Sequence, residues 1–188
     1  KGIVKYAKPV GVIASLVPTT NPCLTPAGQV IYAIKARDVI ICSPHPRAKK
    51  VTNKCINIIR ETLVREGAPA DIIQGIEDPS INLTQELMKR CDLVIATGGR
   101  PMVKSAYSSG VPAYGSGAGN ATVIIDNTCN TPEYQAEAAS NTRISKCSDF
   151  GSGCSCDGNL IISAEIYDDF VKALVNEGAY LANEEEAE

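Results

Sequence analysis

Residues 1–119 predict an open α/β fold, a parallel sheet flanked by helices on both faces, and three observations support it. Four short runs, Gly11–Val17, Val39–Cys42, Asp71–Ile76 and Leu93–Ala96, are dominated by Val, Ile, Leu and Ala. A strand with one wet face would alternate apolar and polar residues instead. Stretches of helical character separate the runs, and that strand–helix alternation builds parallel sheets. The first, second and fourth runs close in Pro18-Thr-Thr-Asn-Pro22, Ser43-Pro-His-Pro46 and Thr97-Gly-Gly-Arg-Pro101. Those loops lie at the carboxyl ends of the strands, where open α/β folds bind ligands.

Taken in order, Gly11–Val17 is a buried strand followed by a proline-bounded loop. A helix over 26–36 follows, with Pro26 in its first turn, where a missing N–H leaves no acceptor unpaired. Val39–Cys42 is the second strand. Residues 47–66 mix basic and apolar residues in helical period and stop at Gly67. Asp71–Ile76 is the third strand, 80–90 the third helix and Leu93–Ala96 the fourth strand. A short helix then runs to about Ser109. Gly115-Ser-Gly-Ala-Gly-Asn120 is a glycine-rich joint between two domains, 1–119 and 120–188. Beyond it the pattern predicts a strand at 122–125, a helix at 131–146, a glycine- and cysteine-rich loop, a strand at 160–163 and a helix at 166–177. The tail from Asn183 is acidic and polar.

The chain has 188 residues, and 18 Lys+Arg against 21 Asp+Glu leave a net charge of −3. A dedicated nucleic-acid binder carries a basic excess instead. No apolar run reaches the ~18–20 residues of a membrane span, and no basic-then-apolar leader opens the chain. These features predict a cytoplasmic protein with neither nucleic-acid nor membrane partners. Eight cysteines, at 23, 42, 55, 91, 129, 147, 154 and 156, follow no regular framework. Most are expected to be small buried residues in a reducing compartment.

Three features carry chemistry. His45, the one histidine, excludes any zinc site with two or three histidines. Held between two prolines at a strand end, it either caps a neighbouring helix or contacts solvent, or it contacts a cofactor. Thr97-Gly98-Gly99 opens a helix whose N-terminus offers free N–H groups to a pyrophosphate, although the full G-x-G-x-x-G spacing is lacking, so an ordinary tight turn fits as well. Gly151-Ser-Gly-Cys-Ser-Cys-Asp-Gly158 presents Cys154 in a glycine-rich loop whose backbone N–H groups suit a thiolate and an oxyanion. A metal held by Cys147, Cys154 and Cys156, or a redox pair of Cys154 and Cys156, are the competing readings of that loop.

Seven stretches in order resemble the CoA-acylating branch of the aldehyde dehydrogenase superfamily. They are Pro9-Val-Gly-Val-Ile13, Pro18-Thr-Thr-Asn-Pro22, Ser43-Pro-His-Pro-Arg-Ala-Lys49, Ala96-Thr-Gly-Gly99, Ala106-Tyr-Ser-Ser-Gly110, Gly117-Ala-Gly-Asn120 and Gly151–Asn159. The resemblance runs from Val4 to about Val175 and implies an aldehyde-dehydrogenase-like fold, with a Rossmann-like dinucleotide domain and part of a second α/β catalytic domain. It implies Cys154 as nucleophile and the Asn21 amide as oxyanion donor. It places the dinucleotide, NAD or NADP, against Pro18, Thr19, Ser43, Pro44, His45, Pro46, Thr97, Gly98, Gly99, Gly117, Ala118 and Gly119. Arg47 and Lys49 near the adenosine ribose would suit a 2′-phosphate.

Hydrolytic members carry a glutamate at the joint that reads here Gly117-Ala-Gly119, and this sequence has no acid between Tyr107 and Ile125. Coenzyme A as co-substrate, and acyl-CoA as product, follow from that missing base. The sequence Cys154-Ser-Cys-Asp-Gly-Asn159 is more similar to the sulfoacetaldehyde-oxidising members, with Arg143 and Lys146 near enough in sequence to hold a sulfonate. The family's members are much longer, so the chain is expected to be a central piece, incomplete at both ends, of a homo-oligomeric enzyme (dimer or tetramer). A bacterial microcompartment is a further expected setting. The alternatives are a fragment that binds dinucleotide or CoA without turnover, and a thiol or metal module.

Overall fold

A computed structural model describes residues 2–187. The chain divides into two compact units, Lys1–Ala118 and Gly119–Glu188. In the first, β1 (Val12–Val17), β2 (Val39–Pro44), β3 (Ile73–Gly75), β4 (Leu93–Thr97) and β5 (Ala113–Ser116) form one sheet in the order β3-β2-β1-β4-β5. Every pairing is parallel, with Ile13 opposite both Ile40 and Leu93. The helices are α1 (Leu24–Ala36), α2 (Lys49–Arg65), α3 (Ile81–Arg90) and α4 (Arg100–Tyr107).

The period-two geometry of a strand divides β1 between two cores. Ile13 and Val17 pack with Val30 and Ala33 of α1, Ile56 of α2, and Ile40, Cys42 and Ile73 of the sheet. Ala14 and Leu16 face the other way, onto Met88 of α3, Ala106 of α4, and Val94 and Ala96 of β4. The parallel sheet flanked by helices is therefore as expected. At the amino edge of the sheet, the buried Asp38 carboxylate accepts the N–H groups of Val10 (2.6 Å) and Gly11 (2.9 Å), which anchors the entry to β1.

Several boundaries differ from the sequence reading. β5 is a fifth strand where a joint from Gly115 was expected, so Gly115 and Ser116 are paired with Ala96 and Thr97, and the connection shortens to 117–120. Gly115 is needed there: a Cβ would lie 2.5 Å from Val103 and 2.8 Å from the Tyr107 ring. The third strand is three residues long because 70–72 form a 3-10 turn. α1 starts two residues before Pro26, and β7 starts at Asp157, not at 160.

The second unit pairs β6 (Ala121–Ile125) and β7 (Asp157–Ile162) in parallel, with α5 (Pro132–Cys147) between them in sequence and α6 (Tyr167–Asn176) following. Thr131 caps α5, its hydroxyl accepting the Tyr134 N–H. Ile125, Ile166 and the fully buried Phe170 centre its core. All eight cysteines are free, yet only Cys42 and Cys91 are buried. Cys23, Cys55, Cys129 and Cys156 are half-buried, and Cys147 and Cys154 are exposed, which corrects the expectation that most lie in the core. All six lie outside the strands, five at helix ends or in loops and Cys55 on the partly exposed side of α2, which explains the difference. No helix among the described residues is long and apolar enough to cross a membrane.

Candidate active site

The strand order makes β1 the switch point of the first unit: chain growth runs outward to β2 and β3, then returns to add β4 on the other side. Loops leaving β1 and β4 diverge there, and the crevice between them is the binding position of open α/β sheets. A cavity of about 430 Å³ occupies it. Pro18 and Thr19 come to it from the end of β1, Ser43, Pro44, His45 and Pro46 from the end of β2, and Thr97, Gly98 and Gly99 from the end of β4. Nine residues singled out in three separate loops thus line one space.

Local chemistry shapes that space. Gly99 is the N-cap of α4 with an extended backbone, and Pro101 occupies the first turn, so the helix begins abruptly at the cavity wall. His45 caps the 3-10 turn at Pro46–Ala48, its Nδ1 accepting the Arg47 N–H at 3.2 Å, and the exposed ring also borders the cavity. The capping contact is thus made by a ring that also borders the cavity. On the floor, the buried hydroxyls of Ser43 and Thr84 hydrogen-bond at 2.8 Å. Pro79, Ser80, Ile81 and Thr84, together with Met102, line the cavity and were not singled out from the sequence. The loop after β3 follows the same strand-end rule as the other three, so Asp78-Pro-Ser80 was the available signal.

The walls are largely apolar and carry a paired-glycine turn at a helix N-terminus, which fits the adenosine and phosphate portions of a dinucleotide. Arg47 is exposed at the rim. Lys49 is engaged by Asp78 at 2.5 Å, and the ammonium holds that carboxyl below its ordinary value. Asn21 stands just past Thr20 in the β1–α1 loop, half-buried, with its carbonyl accepting the Thr25 N–H. Gly117 and Ala118, exposed beyond the end of β5, lie outside the cavity lining.

In the second unit the loop between α5 and β7 carries the thiols. Asp149, Phe150 and Gly151 have φ of 49°, 55° and 70°, a left-handed run that turns the chain sharply after α5. Ser152 fastens it, its hydroxyl donating to the Asp149 carboxylate at 2.9 Å. Cys154 is exposed beyond that turn, whereas Cys156 is half-buried with Sγ directed at the Ser148 carbonyl, 3.8 Å away. Gly119 approaches the loop so closely that a Cβ there would lie 3.2 Å from the Cys154 carbonyl oxygen. Arg143, offered above as an anion holder, is paired with Glu177 at 2.6 Å. Among the described residues no group of three or more His, Cys, Asp or Glu side chains is arranged to hold a metal ion.

The model of the aldehyde dehydrogenase family matches residues 1–186. The chain belongs to the aldehyde dehydrogenase family. Its relatives include a sulfoacetaldehyde dehydrogenase of an Acholeplasma species, 47% identical over 185 residues that cover 98% of this chain and 37% of the relative. An acetylating aldehyde dehydrogenase from Geobacillus thermoglucosidasius is similar in structure, with a TM-score of 0.86 and 40% identity over 95% of this chain and 39% of that one. So is a propionaldehyde dehydrogenase of Rhodopseudomonas palustris, solved with bound CoA and an acylated cysteine, with a TM-score of 0.85 and 32% identity over 96% and 40% of the two chains. As an aldehyde dehydrogenase family member, the chain thus spans about two fifths of the length of these relatives.

Proposed function

We propose that the protein takes part in NAD(P)-dependent oxidation of an aldehyde to an acyl-CoA, with Cys154 as the covalent nucleophile. The observation that carries this reading is the close approach of Gly119 to the exposed Cys154 loop, in a stretch with no carboxylate from Ser108 to Ile125. A general base able to aim water at a thioester on Cys154 is missing from that stretch, and a thiol, part of which is already the strongly nucleophilic thiolate near neutral pH, depends on such a base far less than water does. The relatives whose names include acylating or acetylating activity, and the neighbour with bound CoA, support the same reading.

In this reading the Cys154 sulfur attacks the aldehyde carbon and its backbone N–H receives the thiohemiacetal oxygen, and the family resemblance assigns Asn21 the role of side-chain oxyanion donor. Pro18, Thr19, Ser43, His45, Gly98 and Gly99 would hold NAD(P)+ in the β1/β4 crevice, where it would supply a two-electron acceptor for hydride. The acyl group stays on Cys154 as a thioester until the CoA thiol displaces it and the cysteine is restored. Gly98 and Gly99 let a pyrophosphate approach the start of α4, while Pro44, Pro46 and Met102 wall the apolar part of the site. The substrate class is a short aldehyde, sulfoacetaldehyde first, with the exposed Lys146 the available cation beside the loop. The enzyme works as a homo-oligomer in the cytoplasm or in a microcompartment.

Absorbance of reduced nicotinamide with sulfoacetaldehyde, acetaldehyde or propionaldehyde, with and without CoA, tests the overall reaction. Transfer of an acetyl group from acetyl-CoA onto the protein, read by intact mass, tests the thiol step without hydride transfer. Both signals are expected to vanish in Cys154→Ala. Acetylation that persists in Cys154→Ala, or a nicotinamide signal independent of CoA, overturns the proposal.

A further inference from the structure

Outside the nucleophile loop, one pair of thiols meets across two helices. Cys23 is the N-cap residue of α1, and Cys55 lies in the second turn of α2. The Cys55 Sγ donates to the Cys23 carbonyl at 3.6 Å. The two residues are 32 apart in sequence, so helix packing alone, not local chain geometry, brings the Cys55 sulfur against Cys23. Both side chains are half-buried, leaving a path for a small reagent. Neither thiol takes part in the reaction proposed above, and neither makes any other side-chain hydrogen bond among the described residues.

We propose that Cys23 and Cys55 form a dithiol site that oxidises reversibly to an intramolecular disulfide by exchange with a small-molecule disulfide. One protein thiol loses its proton to water, and its sulfur attacks a sulfur of the small disulfide. A mixed disulfide forms and one small thiolate leaves. The second protein thiol, deprotonated in turn, attacks the protein sulfur of the mixed disulfide. The Cys23–Cys55 bond forms and the second small thiolate departs. Two protein thiols are oxidised, one small disulfide is reduced to two thiols, and the two protons released are taken up by the two departing thiolates.

The surroundings make the pair selective. Cys42 is fully buried in β2, and burial pushes its thiol up to about 12, so it supplies almost no thiolate for exchange. The Cys55 thiol is raised too, by partial burial and by the neighbouring Cys23 sulfur, so the exchange quickens as pH rises. Once formed, the disulfide ties the N-terminus of α1 to α2. Asn21, two residues before Cys23, then loses the freedom of an uncrosslinked loop.

The test exposes the folded protein to oxidised glutathione, alkylates the remaining thiols, and maps peptides by mass. The expected result is a Cys23–Cys55 cross-linked peptide, joint loss of alkylation at both positions, and full reversal by dithiothreitol. Cys55→Ser is expected to stop at glutathione on Cys23, and Cys23→Ser at glutathione on Cys55, because neither can resolve the mixed disulfide. Independent glutathionylation of both cysteines in the unsubstituted protein, or alkylation of both undiminished, overturns the proposal. The unsubstituted protein decides the matter even if a serine variant fails to fold.

Discussion

Cys42 turns the burial of the central sheet into a measurable pH dependence. Its side chain has 0% exposure in β2, and removal from water raises its thiol from 9.0 to about 12, while a hydrogen bond with Ser15 acts in the opposite direction but is smaller. A raised thiol favours the protonated, folded form, so its contribution is complete below pH 9 and is lost as pH climbs towards 12. Between those limits the unfolded chain has released the proton and the folded chain has not. Stability should fall by about 1.4 kcal/mol per pH unit from this group alone, to a total of about 4 kcal/mol. Set against a typical total of about 5–15 kcal/mol, that loss is large enough to read.

Urea unfolding at a series of pH values from neutral to strongly alkaline, comparing the protein with Cys42→Ala, isolates the effect from other alkaline groups. Cys42→Ala should cost about 1 kcal/mol at neutral pH for the small cavity it leaves. Its curve should then converge on, and cross, that of the unsubstituted protein above pH 9. Two curves that stay parallel to the highest pH would refute the reasoning, since they would mean that Cys42 ionises as easily in the folded chain as in the unfolded one.

Other substitutions follow from single contacts. Gly115→Ala forces a methyl group into Val103 and Tyr107, and should cost about 1–3 kcal/mol in urea unfolding by overpacking. Asp38→Ala strands the N–H groups of Val10 and Gly11 and should cost about 2–3 kcal/mol, with Asp38→Asn recovering part of it. Ser80→Ala removes the hydroxyl that accepts the Leu83 N–H at the start of α3, a loss of about 1 kcal/mol. Calorimetry should record that as a fall in Tm of about 2–4 °C.

The legible part of the fold is the part whose residues have one role. Val12–Val17, with Ser15 its one polar residue, and Leu93–Ala96 are almost wholly apolar because both faces of those strands are covered, so no periodicity argument competes. Ala113–Ser116 escaped notice because an edge strand of four residues, two of them exposed, with glycine at the third position, reads as a turn. Its glycine answers to the Tyr107 ring, a neighbour that only the folded chain reveals. The candidate site divides the same way. Loops closed by proline or paired glycine announce themselves, whereas Thr84 reaches the cavity from inside α3 by pairing with Ser43, and no local pattern encodes that contact. The redox-active arrangement of Cys23 and Cys55 is equally silent in sequence, being a product of how α1 packs on α2.

The strand order β3-β2-β1-β4-β5 also has a consequence for synthesis. Ile13 meets Ile40 after 27 residues but must wait for Leu93, 80 residues on. At about 5–20 residues per second, a ribosome needs about 4–16 s to supply that partner. During the interval β1, β2, α1 and α2 can close one core around Ile13 and Val17, while Ala14 and Leu16 look out onto water. A half-built sheet that still lacks α3, α4 and the β4 edge is therefore a nascent species, and it is a form in which a chaperone or an aggregating neighbour would meet this chain.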